Sequence, residues 1–236
     1  MTTTMTTTTT MRRLFLNRAW ALAALAALSA GALALHATPA RAAATAPDAF
    51  VREISKNLLD AVKADAAIQA GDIPKVIALV DAKLLPHLNF PRMTASAVGV
   101  RWRQASPEQR ERLQSEFKTL LVRTYAGALA QVKPETDLHF MPLRMRPGDE
   151  NVLVRSEVRG GGNEPIQLDY RLERHGESWR IYDVNVLGIW LVDQYRSSFA
   201  QEIATGGIDG LITRLAERNA APASAPAGAA ASAPSK

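Results

Sequence analysis

Apolar positions first recur at helical spacing. Phe50, Ile54, Leu58, Ala61 and Val62 share one face of a segment opened by Pro47 and Asp48, where a missing N–H costs nothing and an acid meets the positive helix end. Gly71-Asp72 ends that helix, and a second from Ile73 turns Val76, Ile77, Val80 and Leu84 inward until Pro86 stops it. A proline-flanked connector, His87 to Thr94, leads into a short helix carrying Val98 and Trp102. Ser106, Pro107 and Gln109 form a capping box before a long helix with Leu113, Phe117, Leu120, Leu121, Thr124, Tyr125 and Ala128 on its apolar face, closed by Pro134.

From Leu138 the period falls to two. Val152, Val154, Ser156 and Val158 alternate with charged or polar neighbours, as do Ile166, Leu168, Tyr170 and Leu172. Turn residues at Pro147-Gly148-Asp149, Gly160-Gly161-Gly162-Asn163 and His175-Gly176 divide four strands, about Leu138–Met145, Asn151–Arg159, Pro165–Arg174 and Ser178–Val186. The last strand turns at Gly188 straight into a helix with Val192, Tyr195, Phe199 and Ile203 inward. Gly206-Gly207 ends that helix, and Ile208, Leu211, Ile212 and Leu215 form another. Helices, then an antiparallel four-stranded meander, then helices predict an α+β domain with helices on one face of the sheet. Where that sheet meets its helices an apolar cavity can open, and the stretch from Ser178 to Phe199 holds no polar constellation arranged for chemistry there.

Both chain ends fall outside this domain. Arg12, Arg13 and Arg18 precede an Ala/Leu-rich run from Ala19 to Leu35 and then Ala40-Arg41-Ala42, the order of a secretory signal peptide over residues 1–42, cleaved near Ala42. Arg12-Arg13-Leu14-Phe15-Leu16 also suits the twin-arginine route, so the export pathway stays open. Residues 220–236, Ala/Pro/Ser with one Gly, cannot bury a core and read as a disordered tail, leaving 45–219 as the domain. The leader also accounts for most of the net charge of +5: 28 basic residues less the four at Arg12, Arg13, Arg18 and Arg41 leave 24 against 23 acids. With no basic run left, nucleic acid is not an expected partner. The chain has no cysteine, so disulfides, thiolate metal sites and a cysteine nucleophile are excluded.

An ordered set of motifs resembles the MlaC / toluene-tolerance family of periplasmic phospholipid-binding proteins. They are Leu84-Leu85-Pro86-His87 with Phe90-Pro91-Arg92-Met93-Thr94, Trp102 with Glu108-Gln109, Glu116-Phe117 through Leu121-Val122-Arg123-Thr124-Tyr125, Trp179-Arg180-Ile181-Tyr182-Asp183-Val184 with Gly188, Tyr195-Arg196 with Phe199, and Gly206-Gly207-Ile208-Asp209-Gly210-Leu211-Ile212. The resemblance implies a cone-like, NTF2-like shape enclosing acyl chains, no catalysis and no cofactor. It also implies a monomeric carrier that exchanges phospholipid with an inner-membrane ABC-type transporter and an outer-membrane lipoprotein/porin complex, maintaining outer-membrane lipid asymmetry. The family usually has a small hydroxyl residue where Trp190 stands and often a phenylalanine where Leu88 stands, which leaves the lipid's identity open; a hopanoid or other isoprenoid is the alternative cargo.

Acyl tails must be kept from water: at about 0.8 kcal/mol per methylene, exposing a tail of roughly fifteen methylenes costs about 12 kcal/mol. The side chains on converging inward faces, Phe90, Phe117, Leu121, Tyr125, Val154, Leu168, Tyr170, Val186, Trp190 and Tyr195, are the expected lining, although the same periodicity also marks plain core. Arg92, Arg123 and Arg196 are head-group candidates, each equally explained by a surface ion pair with Asp193 or Glu116. His87 reads as a packing or capping group. A small isomerase or dehydratase of similar shape is the enzymatic alternative: Tyr182 and Asp183, adjacent on a regular strand, should point to opposite faces, whereas Tyr170 and Asp183 could share a pocket if the register allows.

Overall fold

The computed structural model describes residues 45–129, 131–160 and 164–221. The proposed leader, and the proposed tail from residue 222 onward, lie outside the described residues. Helix α1 spans Pro47–Ala64, α2 Ala66–Gln69, α3 Ile73–Lys83, α4 Phe90–Val98 and α5 Pro107–Leu129. Short 3-10 turns cover Leu85–His87 and Gly99–Gln104. Strands β1 (Asp137–Phe140), β2 (Asn151–Arg159), β3 (Ile166–His175), β4 (Ser178–Val186) and β5 (Ile189–Trp190) precede α6 (Leu191–Ala220).

The sheet is an antiparallel meander in the order β1-β2-β3-β4-β5, five strands rather than the four expected. The extra strand arises because the chain does not pass from Gly188 directly into a helix. Leu187 and Gly188 both take positive φ, 54° and 86°, forming a two-residue hairpin that pairs Ile189 with Val186 and Trp190 with Asn185 before α6 begins. The other differences are also local. Asp65 leaves the helical conformation so that its carboxylate can accept from Ala67 and Ile68 N–H, breaking the first expected helix in two. Gly99 at φ 72° ends α4, so Trp102 lies in a 3-10 turn. β1 stops at Phe140 rather than Met145, two residues before Pro142, which has no N–H to give a ladder.

Other signals appear as read. The capping box is made: Gln109 N–H donates to Ser106 Oγ at 3.2 Å and Ser106 N–H to Gln109 Oε1 at 3.0 Å. Gly207, at φ 67°, breaks α6 where Gly206-Gly207 was expected to end a helix.

Burial divides the apolar side chains into three clusters. Phe50, Val51 and Ile54 of α1 lie on the inner face of the sheet against Val152, Val154, Tyr170, Leu172, Trp179 and Ile181. Phe90, Met93, Leu113, Phe117, Leu120, Val192, Tyr195, Phe199, Ile203, Leu211, Ile212 and Leu215 bind α4, α5 and α6 together. Val62, Ile68, Val76, Val122 and Ala126 form a third group among α1, α2, α3 and α5. The helices thus do not all lie on the sheet face: α1 covers it, while α4, α5 and α6 build a helical layer beside β4.

Gly160, at the end of β2, is held where no side chain fits. A Cβ there would lie 2.6 Å from Glu135 O and 2.8 Å from Thr136 Cα. Gly160→Ala should therefore destabilise the protein by about 2–4 kcal/mol, since backbone rather than a flexible side chain must move. Gly148→Ala, with open space around it, should cost less; urea denaturation of both variants measures the difference.

Candidate functional site

The sheet-side and helix-side clusters meet at the connector between α3 and α4. Leu84 packs on the sheet side, Leu85 on the helix side and Leu88 against both. Leu88 also bridges Ile181 of β4, and Asn89 N–H donates to Ile181 O at 2.8 Å, so this segment joins the sheet as its neighbour. An apolar seam follows.

On its helix side stand Phe90, Phe117 and Tyr195, buried, with Leu121 packed beside them. Phe117 meets Tyr195 edge-on at 5.1 Å and Phe199 at 5.2 Å, geometry that suits aromatic quadrupoles. Tyr125 is partly buried; burial, then the neighbouring Tyr195, push its hydroxyl pKa up to about 12. On the sheet side, Val154 and Tyr170 are buried while Leu168 and Val186, cross-strand partners, keep some exposure. Nine of the ten expected lining residues therefore fall into two groups, five on the helices and four on the inner sheet face. Leu121, Tyr125, Leu168 and Val186 among them are only partly covered.

Trp190 lies elsewhere. It pairs with Asn185 and lines a groove of about 620 Å³ with Arg155, Asp169, Arg171 and Tyr182, on the outer face of the sheet. Register places Arg155, Asp169, Asn185 and Trp190 in one row across β2 to β5, and Arg171 lays its guanidinium 3.8 Å from the Trp190 ring centroid. A bulge explains the neighbours Tyr182 and Asp183: Arg171 pairs with Asp183 and Leu172 with Ile181, leaving Tyr182 unpaired. Both side chains consequently serve the outer face, contrary to expectation for a regular strand. Tyr170, opposite Val184, faces inward, so it does not share a pocket with Asp183.

Asp183 is 2% exposed and fully engaged: it accepts from Val192 N–H at 3.2 Å and Val184 N–H at 2.9 Å and pairs with Arg171 at 2.9 Å. Burial raises its pKa, outweighing the bond from Val192 and the Arg171 charge, which act to lower it.

The head-group candidates are each engaged within the chain. Arg92 pairs with Glu173, which also accepts from Asn89, and stacks 3.6 Å from the Tyr182 ring centroid. Arg123 donates to Ala221 O. Arg196 donates to Ser96 O at 3.1 Å and pairs with Asp193 at 3.5 Å, while Glu116 bonds Asn219 instead. Arg196 also lines a second groove, of about 810 Å³, beside Val98, Val100 and Ile203. His87 packs edge-on against Phe50 at 5.6 Å.

The family model for the MlaC protein matches residues 52–217, from the first turns of α1 to the last turns of α6. The chain belongs to the MlaC family. It is 24% identical over 191 residues to the intermembrane phospholipid transport system binding protein MlaC of Haemophilus influenzae, covering 76% of this chain and 85% of that protein. It is 26% identical over 168 residues to the toluene tolerance protein ttg2D of Pseudomonas putida, covering 71% and 77%. Among solved structures, the phospholipid-binding protein from Ralstonia solanacearum, in complex with a phospholipid, superposes with a TM-score of 0.71 at 42% identity over 75% of this chain and 98% of that one.

Within this MlaC-family fold, sequence reasoning missed Ile166, Leu187 and Ile189, which are exposed at one end of the sheet. The available signal was two aliphatic residues flanking Gly188 in a turn, a place where polar residues are usual.

Because burial raises the Asp183 pKa, the folded state holds its proton more tightly than the unfolded chain does. Its contribution to stability should accordingly fall as pH rises from the ordinary carboxylate range through the raised value. Asp183→Asn should remove that slope, read from urea midpoints at a series of pH values upward from the ordinary carboxylate range. Asp183→Ala, which strips the N-terminus of α6 of its acceptor and leaves Arg171 only its longer pairing with Asp193 at 3.7 Å, should cost about 2–4 kcal/mol, more than Asp183→Asn.

Proposed function

We propose that this protein is an exported phospholipid carrier of the periplasm. It would hold acyl chains in the seam between the inner sheet face and the α4–α6 layer. The observation that carries this reading is the 42% identical Ralstonia solanacearum protein, matched over nearly its whole length and solved with a phospholipid bound. The apolar junction supports it, because Leu88 packs against both the sheet-side and the helix-side cluster, and Leu121, Tyr125, Leu168 and Val186 are incompletely buried. Opening such a seam exposes hydrocarbon, and acyl tails replace the lost contacts; the free energy comes from apolar burial and needs no charged partner within.

Leu88 and its neighbours form the wall to be moved, since this one short segment packs on both sides. The proposal extends to cleavage of the leader near Ala42, action as a monomer, and lipid exchange with an inner-membrane ABC-type transporter and an outer-membrane lipoprotein/porin complex, which would sustain outer-membrane asymmetry. A phosphate would have to compete Arg92 away from Glu173 or Arg196 from Asp193. We propose no catalytic role: Tyr170 and Asp183 face opposite sides of the sheet, and the carboxylate with the raised pKa caps a helix.

Native mass spectrometry of the mature protein from a Gram-negative host, with lipid extraction from the same sample, is expected to show a two-tailed phospholipid released only on denaturation. Leu168→Gln, which places an amide in the seam at a partly exposed position, should cut the lipid-bound fraction several-fold while the protein stays folded. Empty wild-type protein, or a small polar metabolite in place of lipid, overturns the carrier reading.

A further inference from the structure

Five large apolar side chains are exposed among the described residues, and three of them, Ile166 (38%), Leu187 (60%) and Ile189 (44%), gather at one end of the sheet. Leu187 N–H donates to Gln167 O at 3.0 Å, beside Ile166, and Ile189 pairs with Val186 across the hairpin. Register also assigns their faces. Ile189 shares the inner face with its partner Val186, and Val186 with Leu168; Ile166 lies on that face two residues before Leu168. An apolar track therefore runs from the exposed end inward, through Val186 and Leu168 to Val184 and buried Tyr170.

Leu187 is the least expected member. It is the sole non-glycine described residue with positive φ, and it fills the first central position of a hairpin whose two central residues both need that conformation. Asn, Asp or Gly would be conformationally easier there and would suit water better. A leucine in this place costs backbone strain and gains no burial, so its use lies outside the folded chain. Directly behind the tip stands Trp190, partly buried, with the Arg171 guanidinium on its ring. An amphipathic indole with an arginine is the pairing that settles at the level of lipid head groups.

We propose that this end of the sheet, Leu187 and Ile189 with Ile166, is the surface through which the protein touches a lipid bilayer, and that the apolar track behind it is the path by which an acyl chain enters the seam. The occupant follows from size and shape. Three side chains, two at the β4–β5 hairpin and one at the start of β3, bury far less than the roughly 1,200 Å² that a stable protein interface requires, which argues against a second copy of the chain. A bilayer makes no such demand, because a few aliphatic groups can insert while the rest of the contact is with hydrated head groups. The purpose assigned to the contact rests on the carrier reading; the contact itself does not.

Flotation of the purified mature protein with vesicles of phosphatidylethanolamine and phosphatidylglycerol tests it, comparing wild type with Leu187→Asn and Ile189→Thr. Asparagine tolerates the positive φ at 187 and threonine keeps a β-branched side chain at 189, so both variants should melt no lower than wild type, give or take a degree or two. The expected result is vesicle association by wild type that drops about tenfold in each variant. Failure of wild type to float, or variants that float equally well, overturns the inference even if cargo is present. Association that requires a membrane protein in the vesicles also overturns it and transfers the tip to a protein partner. Loss of co-purified phospholipid from wild type counts against the carrier reading instead, and leaves the bilayer contact to stand or fall on flotation.

Discussion

Asp183 sits where three elements must agree: its strand carries a bulge, its oxygens accept the N–H groups of Val184 and Val192, and its charge faces Arg171 on the next strand. Trp190 occupies the N-cap position of α6 and supplies no acceptor, so without Asp183 the first turn of that long helix would lack a side-chain partner. The bulge is what turns the carboxylate toward the helix. Arg171, drawn to Asp183, lies over Trp190 and braces the short fifth strand. Fixing this corner fixes where α6 leaves the sheet, and thereby sets the helix-side wall carrying Tyr195 and Phe199 against Phe117.

The two walls differ in kind. The sheet wall is continuous backbone ladder with α1 packed over it, and Trp179 is anchored by its N–H to Thr45 O at 2.9 Å. The helix wall is held mainly by aromatic and aliphatic side chains from three helices. Between them runs a connector whose polar fastenings, Asn89 and Arg92 to Glu173, lie toward the sheet's outer side, while its leucines divide between the two clusters. Apolar contact is non-directional and can be exchanged for contact with an acyl chain; a hydrogen-bonded ladder cannot. On the carrier reading proposed above, that asymmetry would make the helix side and the connector the parts that move.

The outer face of the sheet has a different character, with Asp169, Asp183 and Asn185 nearly covered among arginines and two aromatic rings. It holds the corner together through charge and stacking, whereas the inner face presents hydrocarbon. The alternation of residues along β3 and β4 keeps these two chemistries apart, and the bulge at Tyr182 adjusts the boundary by one residue.

Much of this was legible along the chain. Helical spacing in α1, α3 and α5, the Ser106/Gln109 capping box, the alternation in β2 and β3 and the Gly206-Gly207 break are consequences of local geometry, and local geometry is written in residue order. The inward faces followed from the same periods, which is why five of the expected lining residues lie on the helices and four on the inner face of the sheet. What the tertiary structure alone decided were the features that depend on register and on distant partners. The bulge that put Tyr182 and Asp183 on one face, the fifth strand that carried Trp190 to the outer surface, the engagement of Arg92, Arg123 and Arg196, and the gathering of Ile166 with Leu187 and Ile189 all join residues far apart or displaced by a single step. A period-two pattern states that neighbours alternate; it does not state where the alternation slips, and one slipped residue exchanges the faces that follow it.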